Sequence, residues 1–271
     1  SPLPEALEMI LLFESEMEKH ADLIRPVRSY ADIEQNQADG VMSALLTGEE
    51  GEITMGNPDF LYFLYKLGMR MMTLTWNYEN SLGFPNVRLD KKSSASSDRY
   101  CLSQNKGLKE QGIVFLEEME RLGMIIDVSH LSDAGFYDVL EHTTKPFVAS
   151  HSNARSVCPA VRNLTDDMVR RLAERGGITG INFCKEFLGK PDVSQNYLDQ
   201  AVVHMKYLMN LGGEDFVALG SDFDGITRYH DLSDCSVMPK LVHTMKKAGL
   251  TPTQIEKICY KNTLRVYREL L

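Results

Sequence analysis

Six short apolar runs, each closing on a polar residue or a turn, constrain this chain more than any other feature. They are VMSALLTG (41–48), MRMMTLTW (69–76), MIIDVSH (124–130), PFVASH (146–151), ITGINF (178–183) and FVALGSD (216–222). Continuous apolar runs of this length read as strands buried on both faces, as in parallel sheets. Between them the periodicity is helical. Residues 4–19 place Ala6, Met9, Ile10, Phe13 and Met17 on one face, and residues 58–67 and 111–122 behave similarly. A helix after Thr165 opens on Asp166-Asp167 and closes at Arg175 before Gly176-Gly177. The last helix opens on Thr251-Pro252, carries Gln254 at capping-box spacing and turns Ile255 and Ile258 to the core. Alternating strand and helix implies a parallel α/β fold. A closed (β/α)₈ barrel needs eight such units, and six are visible. The chain also opens in a helix. Either the sheet is of another α/β kind, or the first units of a barrel are missing from this sequence.

The 271 residues suit one large domain over 1–271. A net charge of -9 argues against a nucleic-acid partner and against anionic membrane surfaces. No apolar run has the length of a bilayer span. The five cysteines, Cys101, Cys158, Cys184, Cys235 and Cys259, show no CxxC spacing. Free thiols are expected, and with them a reducing, cytoplasmic setting. The acidic, amphipathic first twenty residues do not read as a signal peptide. The polar stretch KKSSASSDRY (91–100) reads as a long loop of the kind that often serves function.

Four polar side chains stand at the ends of apolar runs: Glu50, His130, His151 and Asp222. On a (β/α) barrel the C-terminal strand ends form the catalytic face. Imidazole nitrogens and a carboxylate suit zinc or a similar divalent ion. Asp222 would take a proton from water that such an ion makes acidic. One histidine at a strand end is commonly a hydrogen-bonded structural residue; two on successive strands, with Glu50 and Asp222 at equivalent ends, point to a metal site. Among the other histidines, His142 reads as a turn residue, His204 and His243 as packing or surface, and His230 as a solvated loop residue. Asp127 reads as the partner of a buried polar neighbour. Ser150-His151-Ser152 lacks the GxSxG elbow of a nucleophilic serine.

With those motifs in place, the chain resembles the renal (membrane) dipeptidase family of zinc metallopeptidases, in its bacterial form. The resemblance rests on Glu50-Gly51, on Leu61, Tyr65, Gly68, Arg70, Thr73 and Leu74, and on GLKEQG (107–112), GMIIDVSHLS (123–132), ASHSNARSVCPAVRN (149–163), GSDFDG (220–225) and NTLRV (262–266). It covers nearly the whole chain. It implies a (β/α)₈ TIM-type barrel, with one or two N-terminal βα units missing here, and a two-zinc site. Glu50 matches the bridging carboxylate, and His130 and His151 match the remaining ligands of one zinc. Asp222 matches the catalytic aspartate, and Arg162 the arginine that holds the substrate carboxylate. Trp76 and Asn77 match the substrate-facing segment, Trp76 standing where mammalian members carry a histidine. Glu49 is one residue away from the bridging position. Glu50 is preferred because the family motif places glycine directly after the ligand, and neighbouring strand residues face opposite ways.

The family's His-x-Asp strand, which holds the second zinc, is expected upstream of Ser1. His20-Ala21-Asp22 imitates it but continues a helical pattern with no strand before it, so it reads as a solvated helix end. The expected activity is hydrolysis of dipeptides, some with a D-residue at the C-terminal side; family members are often dimers, and the resemblance leaves the oligomeric state of this chain open, a homodimer being one outcome. Two other readings stay open: a metallohydrolase of another small amide, ester or lactam, and a metal-poor relative acting as a binding or structural protein.

Overall fold

The computed structural model describes residues 2–86, 106–227 and 231–271. KKSSASSDRY, Cys101 and His230 lie outside them. The chain forms two compact units, 2–86 with 106–145 and 267–271, and 146–227 with 231–266.

The first unit opens with α1 (Pro2–Lys19), followed by the strand β1 (Ile24–Val27) and α2 (Tyr30–Asp39). Next come β2 (Met42–Leu45), β3 (Thr47–Glu49), α3 (Pro58–Lys66), β4 (Met71–Thr73), α4 (Glu110–Leu122), β5 (Ile125–Asp127) and α5 (Asp133–His142). The second unit holds β6 (Val148–Ala149), α6 (Asp166–Glu174), β7 (Ile178–Ile181), α7 (Lys185–Leu188), α8 (Tyr197–Gly212), β8 (Val217–Leu219), α9 (Met238–Lys247) and α10 (Pro252–Glu256). A π-helical turn, Lys257–Lys261, leads into α11 (Asn262–Leu270).

Among the described residues the strands pair in parallel, β3 with β4 and β4 with β5 in one unit, β6 with β7 and β7 with β8 in the other. Connections run through helices, as parallel pairing requires. The run 41–48 is two strands. β2 pairs with β1 and β3 pairs with β4, and the change of partner falls at Leu46, whose carbonyl accepts from Arg70 N–H. β1 lies in IRPV, where a charged residue and a proline hide the strand pattern. Among the described residues there are therefore eight short strands, against six runs visible in the sequence.

The helices follow their sequence signals closely. Thr165 and Thr251 cap α6 and α10, and Gln254 completes the capping box. Ile255 and Ile258 are buried. The first helix departs from its pattern: Ile10 is buried but Met9 is 72% exposed. Its end carries His20 in a turn, ion-paired with Glu16 one helical turn back at 3.4 Å. The solvated reading of His20-Ala21-Asp22 holds.

Phe115, Leu116 and Met119 of α4 pack in the first core, with Leu61 and Leu64 of α3. Phe147, Phe183 and Phe216, beside the strands of the second unit, are likewise fully buried. In that unit the strands approach unusually closely. A Cβ at Gly180 or at Gly220 would lie 2.0 Å from the Ser150 carbonyl oxygen, so only glycine fits at either position. That approach draws the ends of β6, β7 and β8 together.

Candidate metal and proton-transfer site

Strand parity decides which glutamate reaches His130. Glu49 pairs in register with Thr73, and Thr73 with Asp127, so the three side chains share one face. Thr73 Oγ1 donates to Asp127 Oδ2 at 2.7 Å, and Asp127 is buried, the structural role expected for it. Beyond Asp127 the chain turns through His130, whose φ of 67° is left-handed. Its Nε2 comes within 3.1 Å of Glu49 Oε1.

Glu50 is engaged elsewhere. Its carboxylate accepts from Glu52 N–H at 2.9 Å, Trp76 N–H at 3.1 Å and Asn80 Nδ2 at 2.5 Å. Asn80 Nδ2 also donates to the Leu74 carbonyl, and Asn80 Oδ1 accepts from Leu82 and Gly83 N–H. Glu50 thus ties the turn after β3 to the segment after β4. The structure brings Glu49, and not Glu50, to His130. The strand ends one residue earlier than the sequence suggests, and Glu50 caps the 3-10 turn Gly51–Thr54.

Each histidine makes a hydrogen bond through Nδ1. His130 Nδ1 lies 2.9 Å from Asn77 Oδ1, and His151 Nδ1 lies 2.7 Å from Ser150 Oγ. A ligand histidine commonly donates one nitrogen in this way and offers the other to the ion. Glu49 Oε1 and His130 Nε2, both in the first unit, stand 3.1 Å apart, while His151 follows β6 in the second unit. An imidazole and a carboxylate at that spacing suit a divalent ion of the zinc type. Asn77, expected beside the substrate, meets His130 Nδ1. Trp76 is 39% exposed, its ring 6.3 Å from that of His130 and 5.6 Å from that of Tyr78.

Asp222 follows β8 with a φ of 60°, the second left-handed residue among the candidates. Non-glycine residues in this region cost energy and concentrate at functional sites. Its Oδ2 accepts from Asn182 Nδ2 at 3.1 Å. Gly225 closes the turn, and a Cβ there would lie 2.1 Å from Asp222 Oδ1. Arg162 is buried, with its guanidinium 5.5 Å from the centre of the Phe187 ring.

One residue escaped the sequence reading, Asn182, which stands just past β7 near the end of the 178–183 run. Glu49 was weighed and set behind Glu50, although its two-residue spacing from Thr47 is the strand's own period. His204 is a core residue: Nδ1 accepts from Ala154 N–H, Nε2 donates to the Leu188 carbonyl, and burial pulls its pKa down to about 4. Cys158, Cys184, Cys235 and Cys259 are free thiols; burial and the nearby Glu186 carboxylate push Cys184 up to about 12, which makes it unreactive. Among the described residues, no helix is long and apolar enough to cross a membrane.

The sequence profile of the membrane dipeptidase family, peptidase family M19, matches residues 2–270. A Klebsiella pneumoniae protein described as uncharacterized, in the pqqA 5′ region, is 36% identical over 92% of this chain and 90% of its own length. An uncharacterized dipeptidase of Schizosaccharomyces pombe is also 36% identical, over 76% of this chain but only 47% of its own length. A crystal structure of a metallo peptidase from Rhodobacter sphaeroides, liganded with a phosphinate mimic of the dipeptide L-Ala-D-Ala, superposes with a TM-score of 0.88. It is 30% identical, over 99% of this chain and 75% of the other. The α/β fold is therefore of the TIM-barrel type. The chain belongs to the membrane dipeptidase family of metallopeptidases, peptidase family M19.

Proposed function

We propose that this protein is a zinc-dependent dipeptidase that accepts dipeptides with a D-residue at the C-terminal side. The observation that carries the reading is the 3.1 Å approach of His130 Nε2 to the Glu49 carboxylate in a chain of a metallopeptidase family. The dipeptide mimic bound by the Rhodobacter sphaeroides relative supports the substrate class.

Glu49, His130 and His151 would hold one ion, with Asn77 and Ser150 orienting the imidazoles. A divalent ion there supplies Lewis acidity toward the peptide carbonyl and the attacking water. Asp222 takes the proton from that water and passes it to the leaving amine, the two halves of general base and general acid work. Arg162 pairs with the free carboxylate of the dipeptide, a task suited to the planar guanidinium fork. Trp76 lines the substrate side of His130.

The test is release of amino acids from a dipeptide panel that includes D-residues at the second position. Turnover is expected, lost with a chelator and restored by added zinc. If no member of the panel shows chelator-sensitive turnover, the proposal is wrong.

A further inference from the structure

Asn182 directly follows β7, and its side chain meets the carboxylate of Asp222. Nδ2 donates to Asp222 Oδ2 at 3.1 Å, while Oδ1 accepts from Cys184 N–H at 2.7 Å. The second bond fixes the orientation of the amide. A backbone N–H can only donate, so the carboxamide oxygen faces it and the NH₂ faces Asp222. Asn182 is fully buried.

Its peptide is clamped in turn. Asn182 N–H donates to Asn153 Oδ1, and Asn153 Nδ2 donates to the Asn182 carbonyl, both at 2.9 Å. Asn153 N–H reaches Asn163 Oδ1 at 3.3 Å, and Asn163 Nδ2 donates to the carbonyls of Cys158 and Phe187. Asn153 and Asn163 are buried as well. Three neutral, buried amides are therefore linked, and Asn182 among them contacts the carboxylate of Asp222.

We propose that Asn182 is a positioning residue for the proton transfer made by Asp222. Its donor fixes one carboxylate oxygen and so sets the angle at which Asp222 meets the water and the leaving amine. A neutral donor does this without adding charge next to the ion. The inference rests on the role given to Asp222 above. Because Asn182 acts through Asp222, its loss lowers kcat and leaves KM in place.

The test is a double-mutant cycle on the full protein with Asn182→Leu and Asp222→Asn, read by kcat, KM, zinc content and thermal melting. Asn182→Leu is expected to lower kcat about ten- to a hundredfold, the worth of a hydrogen bond to a charged group. KM and zinc content stay at the wild-type level. In the Asp222→Asn background the same change is expected to add less than about twofold, because coupled residues are non-additive. Asn182→Asp keeps the size and the acceptor for Cys184 N–H but loses the donor, and gives the same kcat loss if the leucine variant folds poorly. Full kcat in either folded variant, or equal losses in both backgrounds, overturns the proposal. Wild-type kcat in Asp222→Asn alone would instead remove the reading of Asp222 on which it rests.

Discussion

Replacing Glu49 and Glu50 in turn by glutamine separates the ligand from its neighbour, and the two variants should fail in opposite ways. The Glu50 carboxylate accepts three hydrogen bonds, two of them from backbone N–H groups. A carboxamide has one acceptor oxygen, and its NH₂ would face donors. Glu50→Gln therefore loses at least one hydrogen bond to a charged acceptor and sets donor against donor, about 2–4 kcal/mol of stability in all. Glu49 has a side chain 46% exposed, with His130 Nε2 beside it. Glu49→Gln is expected to cost less than about 1 kcal/mol, the usual range for exposed charged contacts. Its zinc affinity should fall further than the about 10- to 100-fold that loss of an outer partner costs. Urea denaturation reads the stability and chelator competition reads the affinity. The reasoning fails if Glu50→Gln sheds zinc at wild-type stability while Glu49→Gln keeps it.

Two further outcomes follow from buried contacts. His204 has a folded pKa of about 4 against 6.5 for a free histidine. Its contribution is fully present above pH 6.5 and is lost as pH falls toward 4, about 2 kcal/mol between pH 7 and pH 5. Urea melts across that range should show His204→Gln with a shallower pH slope than wild type; equal slopes would contradict the assignment. Asn77→Ala removes the acceptor from His130 Nδ1 and should weaken zinc binding about 10- to 100-fold without moving KM for dipeptides. A KM effect at full zinc occupancy would return Asn77 to the substrate side.

Five of the six apolar runs hold one strand each, because a strand buried on both faces leaves an uninterrupted hydrophobic signature. What lay beyond the pattern was local geometry. β1 contains Arg25 and Pro26, and nothing in IRPV alternates or runs apolar. The change of partner at Leu46 is a long-range event with no local mark. Met9 fits the helical stripe of α1 yet faces solvent, since periodicity orders the residues around a helix without saying what covers them. The histidines and Asp222 drew attention because strand ends in a parallel α/β fold commonly carry chemistry. That Glu49 rather than Glu50 meets His130 had no local mark, because the alternation of a strand gives faces only once its last residue is known.

The left-handed backbone at His130 and Asp222 has a consequence for how this site can change over generations. Asparagine, aspartate, histidine and glycine occupy that conformation most readily, and β-branched residues there are strongly disfavoured. The set of neutral replacements is therefore small, and it contains asparagine and glycine, which remove imidazole and carboxylate chemistry while keeping the turn. A descendant that abandoned hydrolysis would drift toward Asn or Gly at positions 130 and 222 and keep its fold. A descendant with valine or isoleucine there would have had to rebuild both turns first.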